Sequence, residues 1–176
     1  MEAETKKKVL RKLTYGMWVI AAAAGDDVEA SSVTWLMQGS FKPPLVVVGV
    51  RADTHLRTVI ENGKAFALHL LSAAQQELAQ AFTRPTVVAP GTIGGIAWRP
   101  GTTGAPLLAG FSAWLEARLT DIVVRGDHAI FVGEVVEAGM TSDEPPLTLD
   151  QTALPSGSAS RSARGALATT GWTYGG

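Results

Sequence analysis

The chain predicts a mainly β fold, a closed or partly closed β-barrel with a few helices. Short Val- and Ile-rich runs bounded by Gly, Pro and Asp turn signals outnumber the amphipathic stretches. Two long runs, 111–124 and 129–140, flank Gly126-Asp127-His128 and read as a hairpin with a tight turn, its strands central in a sheet. Few helices among many short strands favour a barrel over a doubly wound parallel sheet.

The elements follow in order. Val9, Leu10 and Leu13 recur at helical spacing among the basic residues of 6–12, predicting an amphipathic helix over 3–13 with a solvated face. Met17-Trp18-Val19-Ile20 and four alanines run into the turn signal Gly25-Asp26-Asp27, a first hairpin. Its second strand spans 28–40. Pro43-Pro44 then marks a connection, because proline cannot donate to a sheet ladder, and 45–50 is an apolar strand. Leu56, Val59 and Ile60 predict a short helix over 53–62, with Asp53 or Thr54 as N-cap and Gly63 as its stop.

Phe66, Leu68 and Leu70 alternate as a strand, and Ser72 with Gln75 resembles a capping box for a helix ending near Phe82. Residues 83–110 are rich in Pro, Gly and Thr and read as a long surface excursion, with only Ile96-Ala97-Trp98 regular. The expected organisation is one domain over 1–148, a flexible Ser/Ala/Gly/Arg-rich segment over 149–168, and an aromatic segment, 169–176, packing back through Trp172 and Tyr174.

At 176 residues the chain suits a single core, and 46% hydrophobic against 18% charged residues is an ordinary globular balance. A formal net charge of −1 offers no broad positive field, so nucleic acid is an unsuitable partner. No cysteine is present, which excludes disulfides, thiolate metal sites and a cysteine nucleophile; redox chemistry would need a cofactor. Neither a signal peptide's apolar core nor a run of roughly 18 apolar residues occurs, so no membrane association and a cytoplasmic location are expected.

Polar chemistry concentrates in 30–55. On an extended strand Ser32, Thr34, Leu36, Gln38 and Ser40 would share one face, which suits either a solvated strand side or a strand lining a polar, planar ligand. Downstream, Arg51 closes a strand just before Thr54 and His55 begin a helix. A guanidinium, a hydroxyl and the unpaired first amides of a helix suit a phosphate. Asp53 would repel that phosphate if it pointed inward, so it is assigned to helix capping.

The three histidines, His55, His69 and His128, form no zinc-helix spacing, and no metal site is expected. His69 reads as a partly exposed or interface residue. No nucleophile elbow, paired carboxylates, dinucleotide-binding GxGxxG or P-loop lysine is present.

Taken together, Tyr15-Gly16, Ser32-Val33-Thr34-Trp35, the run Gln38-Gly39-Ser40-Phe41-Lys42-Pro43-Pro44-Leu45-Val46 and Thr54-His55 resemble the flavin-reductase-like FMN-binding split-barrel family. The likeness continues through the Phe66 strand, the helix of Leu78 to Phe82, Gly104-Ala105-Pro106-Leu107-Leu108, Gly126-Asp127-His128, Gly133-Glu134-Val135-Val136 and the final Gly171-Trp172-Thr173-Tyr174-Gly175-Gly176. This resemblance implies an FMN-binding split β-barrel. The flavin ring and ribityl chain would lie along Ser32, Val33, Thr34, Trp35, Gln38, Gly39 and Ser40, and the phosphate at Arg51, Thr54 and His55. Trp172 would contribute to the cofactor site.

His128 would stand near the face approached by a nicotinamide, as the candidate catalytic residue. Many members that this chain resembles have Asn at the position of Thr34 and a small hydroxylated residue at that of Met37. The implied activity is NAD(P)H-dependent reduction of flavin, with NADH or NADPH as co-substrate and electrons passed to free flavin, a partner oxygenase or another acceptor. The alternative is a non-catalytic FMN electron-transfer module with a protein redox partner. The resemblance also implies a homodimer with FMN near the subunit interface.

Overall fold

The computed structural model describes residues 2–152; Trp172, Tyr174 and most of the segment 149–168 lie outside them. Seven strands form one antiparallel sheet: β1 (Trp18–Ala24), β2 (Asp27–Val33), β3 (Leu36–Phe41), β4 (Pro44–Arg51), β5 (Ala65–Leu70), β10 (Ala113–Arg125) and β11 (His128–Met140). The spatial order is β2-β1-β5-β10-β11-β4-β3. The two edge strands, β2 and β3, are consecutive in the chain and joined only by Thr34-Trp35, so the sheet must curl to bring its edges to a common corner.

That corner corrects the sequence reading of one strand over 28–40. Trp35 turns the chain out of β2's pairing with β1 and into β3's pairing with β4, and its carbonyl accepts the Gly49 amide at 2.8 Å. A second break follows: the β3/β4 register shifts between Gln38 and Ser40, so Gln38 lies opposite Val46 but Ser40 opposite Leu45. One extra residue inverts the side-chain alternation. The predicted shared face of Ser32, Thr34, Leu36, Gln38 and Ser40 therefore does not exist.

β1 explains its own composition. Ile20 and Ala22 face one core with Val33, Val48, Val50, Phe66, Leu68 and Phe131, while Val19 and Ala21 face a second with Met17, Leu71, Phe82, Phe111 and Leu147. Burial on both faces calls for a continuous apolar run rather than alternation. The helix α2 (His55–Gly63) covers the first core with Leu56, Val59 and Ile60, each worth roughly 1.5–3 kcal/mol of burial. The predicted stop is shifted by one residue: Lys64, at φ 58°, takes the left-handed position. Gly63 is the last helical residue, and it has no side chain where a Cβ would meet the Ala23 carbonyl oxygen of β1.

The N-terminal helix α1 is shorter than predicted, Ala3–Leu10, and buries none of its residues. The helix α3 (Gln76–Ala81) begins after the Ser72 amide donates to Gln75 Oε1 at 3.1 Å, one half of the expected capping box. The largest correction concerns 83–110. Rather than a surface excursion, it forms a second, four-stranded sheet of β6 (Val88–Ala89), β7 (Thr92–Ile93), β8 (Ile96–Pro100) and β9 (Pro106–Leu108), which closes the second core with Ile93 and Leu108. The predicted central hairpin is present: β10 and β11 each run 13 residues around a two-residue Gly126-Asp127 turn.

Candidate functional site

Strand β4 ends at Arg51, whose register partner is His128, the first residue of β11. The Ala52 amide donates to the Asp127 carbonyl at 2.9 Å, tying the β10–β11 turn to the segment that enters α2. Three sequence-distant pieces thus share one corner: Trp35, the run 51–55, and Asp127-His128.

Arg51 presents its fork to Asp53, Nε donating to Oδ1 at 3.0 Å and Nη2 to Oδ2 at 2.6 Å. This bond holds the Asp53 carboxyl below the usual carboxylate range and raises the Arg51 guanidinium further. Asp53 therefore does not cap the helix, as the sequence reading assigned it. Thr54 occupies the N-cap position, but its hydroxyl donates to the Arg51 carbonyl at 2.9 Å. His55 Nε2 lies 2.8 Å from Asp27 Oδ1 at the start of β2, a bond that raises the imidazole's pKa.

His128 is 5% exposed. Its Nδ1 lies 2.7 Å from Asp127 Oδ1, and this bond holds the Asp127 carboxyl below its ordinary range. A carboxylate only accepts, so the shared proton belongs to Nδ1, and in the neutral ring Nε2 carries the lone pair. That nitrogen is buried with no hydrogen-bond partner. Trp35 covers the imidazole with ring centroids 4.3 Å apart and planes 32° from parallel.

Among the other sequence candidates, Ser32, Val33 and Thr34 are buried at the end of β2, and the Ser32 amide donates to the Phe82 carbonyl at 3.0 Å. Gln38 and Gly39 are exposed on the edge strand β3 and Ser40 is half-buried beside them, with Gln38 Nε2 donating to the Ser40 carbonyl at 3.3 Å. Gln38 pairs with Val46, five residues from Arg51 along β4, roughly 16 Å at the rise of an extended strand. The structure thus gathers Trp35, Arg51, Thr54 and His128, turns His55 toward β2, and sets Gln38 to Ser40 further along the same strand pair. Trp172 lies outside the described residues.

Sequence reasoning missed Asp127 and Asp27 as partners of the site histidines. Asp127 adjoins His128 and could have been found from that adjacency. Asp27 stands 28 residues from His55; the turn that carries it has a sequence signal, but its approach to the start of α2 is a long-range contact that no local pattern announces. The reading of His69 as partly exposed is also corrected. It is fully buried, Nδ1 donating to the Val19 carbonyl at 3.2 Å and Nε2 accepting the Leu108 amide at 3.0 Å, and burial lowers its pKa to about 4. Buried Glu116 is likewise satisfied, by the amides of Thr102 and Thr103 at 2.9 Å and the Thr103 hydroxyl at 2.7 Å. Among the described residues no three His, Asp or Glu side chains converge as a metal site requires, and no helix is long and apolar enough to cross a membrane.

Residues 10–158 match the flavin reductase like domain family. The reductase component of 4-hydroxyphenylacetate 3-monooxygenase from Thermus thermophilus is 32% identical over 149 residues, covering 84% of this chain and 92% of that protein. A putative diflavin flavoprotein from Nostoc is 29% identical over 143 residues, 80% of this chain but 25% of that protein, so the matching region is a minor part of a larger relative. Among solved structures, the NADH:FAD oxidoreductase of Streptomyces globisporus superposes with a TM-score of 0.72 at 27% identity, covering 84% of this chain and 88% of that one. The curled sheet with its split edges and the match over most of the chain agree: this protein belongs to the flavin reductase-like domain family.

Proposed function

We propose that the chain is an NAD(P)H-dependent flavin reductase that binds FMN and passes reducing equivalents to a partner oxygenase or another acceptor. The observation that carries this reading is the buried, unpartnered Nε2 of His128, held by Asp127 and covered by Trp35 beside Arg51 and the start of α2. A buried polar atom without a partner costs about 1–3 kcal/mol, so a site that keeps one is suited to a ligand that completes it. Arg51, Thr54 and the first amides of α2 fit the phosphate, and the exposed edge of β3 from Gln38 to Ser40 fits the polar rim of the ring and its chain.

Bound FMN supplies the hydride-accepting chemistry. The chain's own task is placement. Arg51 and Thr54 anchor one end, Trp35 excludes water over the imidazole, and His128 offers one fixed ring nitrogen to the nucleotide or flavin. The Thermus relative is named as a monooxygenase reductase component, which supports an oxygenase partner; a relative named NADH:FMN oxidoreductase supports the choice of FMN, and the Streptomyces enzyme keeps FAD in view. A homodimer is part of the proposal, supported by Met37 and Phe41, 62% and 83% exposed on β3, an edge strand of the sheet among the described residues. A cytoplasmic location goes with that reading.

A second reading, an FMN electron-transfer module, is favoured by the Nostoc relative, in which this region is one part of a larger flavoprotein. Anaerobic stopped-flow mixing of the FMN-loaded protein with NADH and with NADPH separates the two. Rapid bleaching with either nucleotide is the expected result. No bleaching, with FMN still bound and reducible by dithionite, would replace the reductase by the module; failure to take up FMN would end both.

A further inference from the structure

We propose that Asp53 and Asp27 are built-in competitors of the flavin phosphate, each occupying the donor that the phosphate would use, so that the hold on phosphorylated flavin is weakened at its phosphate end. The inference rests on the phosphate reading of Arg51, Thr54 and His55 given above. Asp53 takes both the Nε and Nη2 edge of Arg51, the same bidentate edge on which a guanidinium receives a phosphate. Asp27 takes His55 Nε2.

Neither carboxylate is committed to the fold. Asp53 is 67% exposed and Asp27 47%, and the helix-capping position that would otherwise explain Asp53 is filled by Thr54. More negative charge acts on the same groups, from Asp127 on Arg51 and from Glu29 on His55. An entering phosphate therefore meets a guanidinium and an imidazole each already bonded to a carboxylate and must displace that carboxylate from each. Exposed ion pairs are weak enough to yield, so the effect is to lower flavin affinity without closing the site.

The test compares FMN with riboflavin, which has the same ring and chain but no phosphate. Dissociation constants for both are measured by flavin fluorescence on the wild-type protein and on Asp53→Asn, Asp27→Asn and Arg51→Gln, with thermal melting as the control for folding. The expected result is FMN bound about five- to tenfold more tightly by Asp53→Asn and by a smaller factor by Asp27→Asn, with riboflavin affinity unchanged and FMN released more slowly. If Arg51→Gln weakens FMN alone while Asp53→Asn leaves it unchanged or weaker, the phosphate reading stands. Asp53 then orients Arg51 instead of competing with the ligand, and the proposal is overturned. If Arg51→Gln shifts FMN and riboflavin equally, or neither, the phosphate reading fails and takes the proposal with it.

Discussion

The molecule buries one histidine between β1, β5 and β9 and another at the turn end of β11 beneath Trp35, and it treats their ring nitrogens differently. His69 has both satisfied by backbone, a carbonyl from β1 on one side and an amide from β9 on the other. His128 has one satisfied, by a side chain that is itself 70% exposed, and the other left without a partner. Sequence distance, charge and residue type do not distinguish them; the completeness of the hydrogen bonding does. A fully satisfied buried imidazole serves as a bolt between layers, whereas a half-satisfied one keeps a nitrogen in reserve.

The largest expected effect tests the bolt. His69→Ala removes the link between β1 and β9, orphans the Val19 carbonyl and the Leu108 amide, and leaves a cavity against Phe111, whose ring centroid lies 5.1 Å from that of His69. Unfolding in urea should show a loss of about 4 kcal/mol. The same residue sets a pH dependence. Folded, it takes a proton only near pH 4, while the unfolded chain takes it near pH 6.5, so between these values the unfolded state binds more protons and stability falls as pH falls. The full drop is on the order of 3 kcal/mol, flat above pH 6.5.

His55 has the opposite sign, because its raised pKa stabilises the fold below pH 6.5 and that contribution is lost as pH rises through the folded value. Its pair with Asp27 is half exposed, so it offsets the slope by at most a few tenths of a kcal/mol. Urea titrations between pH 4 and 8 measure the sum, and His69→Gln should remove the main slope. A mutant that kept it would mean that His69 is not the group responsible.

Why the sequence disclosed one histidine's surroundings and not the other's follows from element length. The strands of the β10–β11 hairpin run 13 residues each, long enough for composition and the Gly126-Asp127 turn to announce them, and His128 comes with that turn. His69 depends on β9, three residues long, in a region whose strands are two to five residues and show no periodicity. The corner at Thr34-Trp35 was equally hidden, since neither residue signals a break, and the Gly39 bulge then reversed the polar face the alternation had suggested. Arg51 and Thr54 were legible because a strand end followed by a helix start is a local pattern. The carboxylate partners of Arg51 and His55 divide on the same principle: Asp53 was visible but assigned to the wrong donor, the helix amides instead of Arg51, and Asp27 reaches His55 by topology alone.

The reserve nitrogen of His128 is tested by a substitution that should cost little stability and much activity. His128→Gln removes the unpartnered Nε2 along with the bond to Asp127, so the folding change should stay within about 1 kcal/mol. Flavin reduction by NAD(P)H should slow about 100-fold, the low end of what a positioned acid–base or hydrogen-bonding group contributes. Paired urea unfolding and stopped-flow reduction measure the two quantities. A stability loss as large as that of His69→Ala, with reduction unchanged, would make both histidines bolts and erase the contrast.

The smallest effect belongs to Asp127, which touches His128 and acts only through it. Asp127→Asn keeps the shape, but its amide can turn to donate to Nδ1, which moves the ring proton to Nε2 and offers the ligand a donor in place of a lone pair. Reduction should slow several-fold, with the change in kcat and not in KM, and the imidazole nitrogen NMR shifts of His128 should report the exchanged tautomer. Stability at pH 7 should hold to within about 0.5 kcal/mol, since the carboxylate is mostly exposed. Because its pKa lies below the ordinary carboxylate value of 3.8, the stability it contributes is present above that pH and lost only as pH falls through the lower, folded value. The slope between pH 6.5 and 4 should therefore match wild type in Asp127→Asn, leaving that window to His69. If the variant instead changes the slope there while its His128 shifts stay put, Asp127 is coupled to the fold rather than to the ring nitrogen it holds.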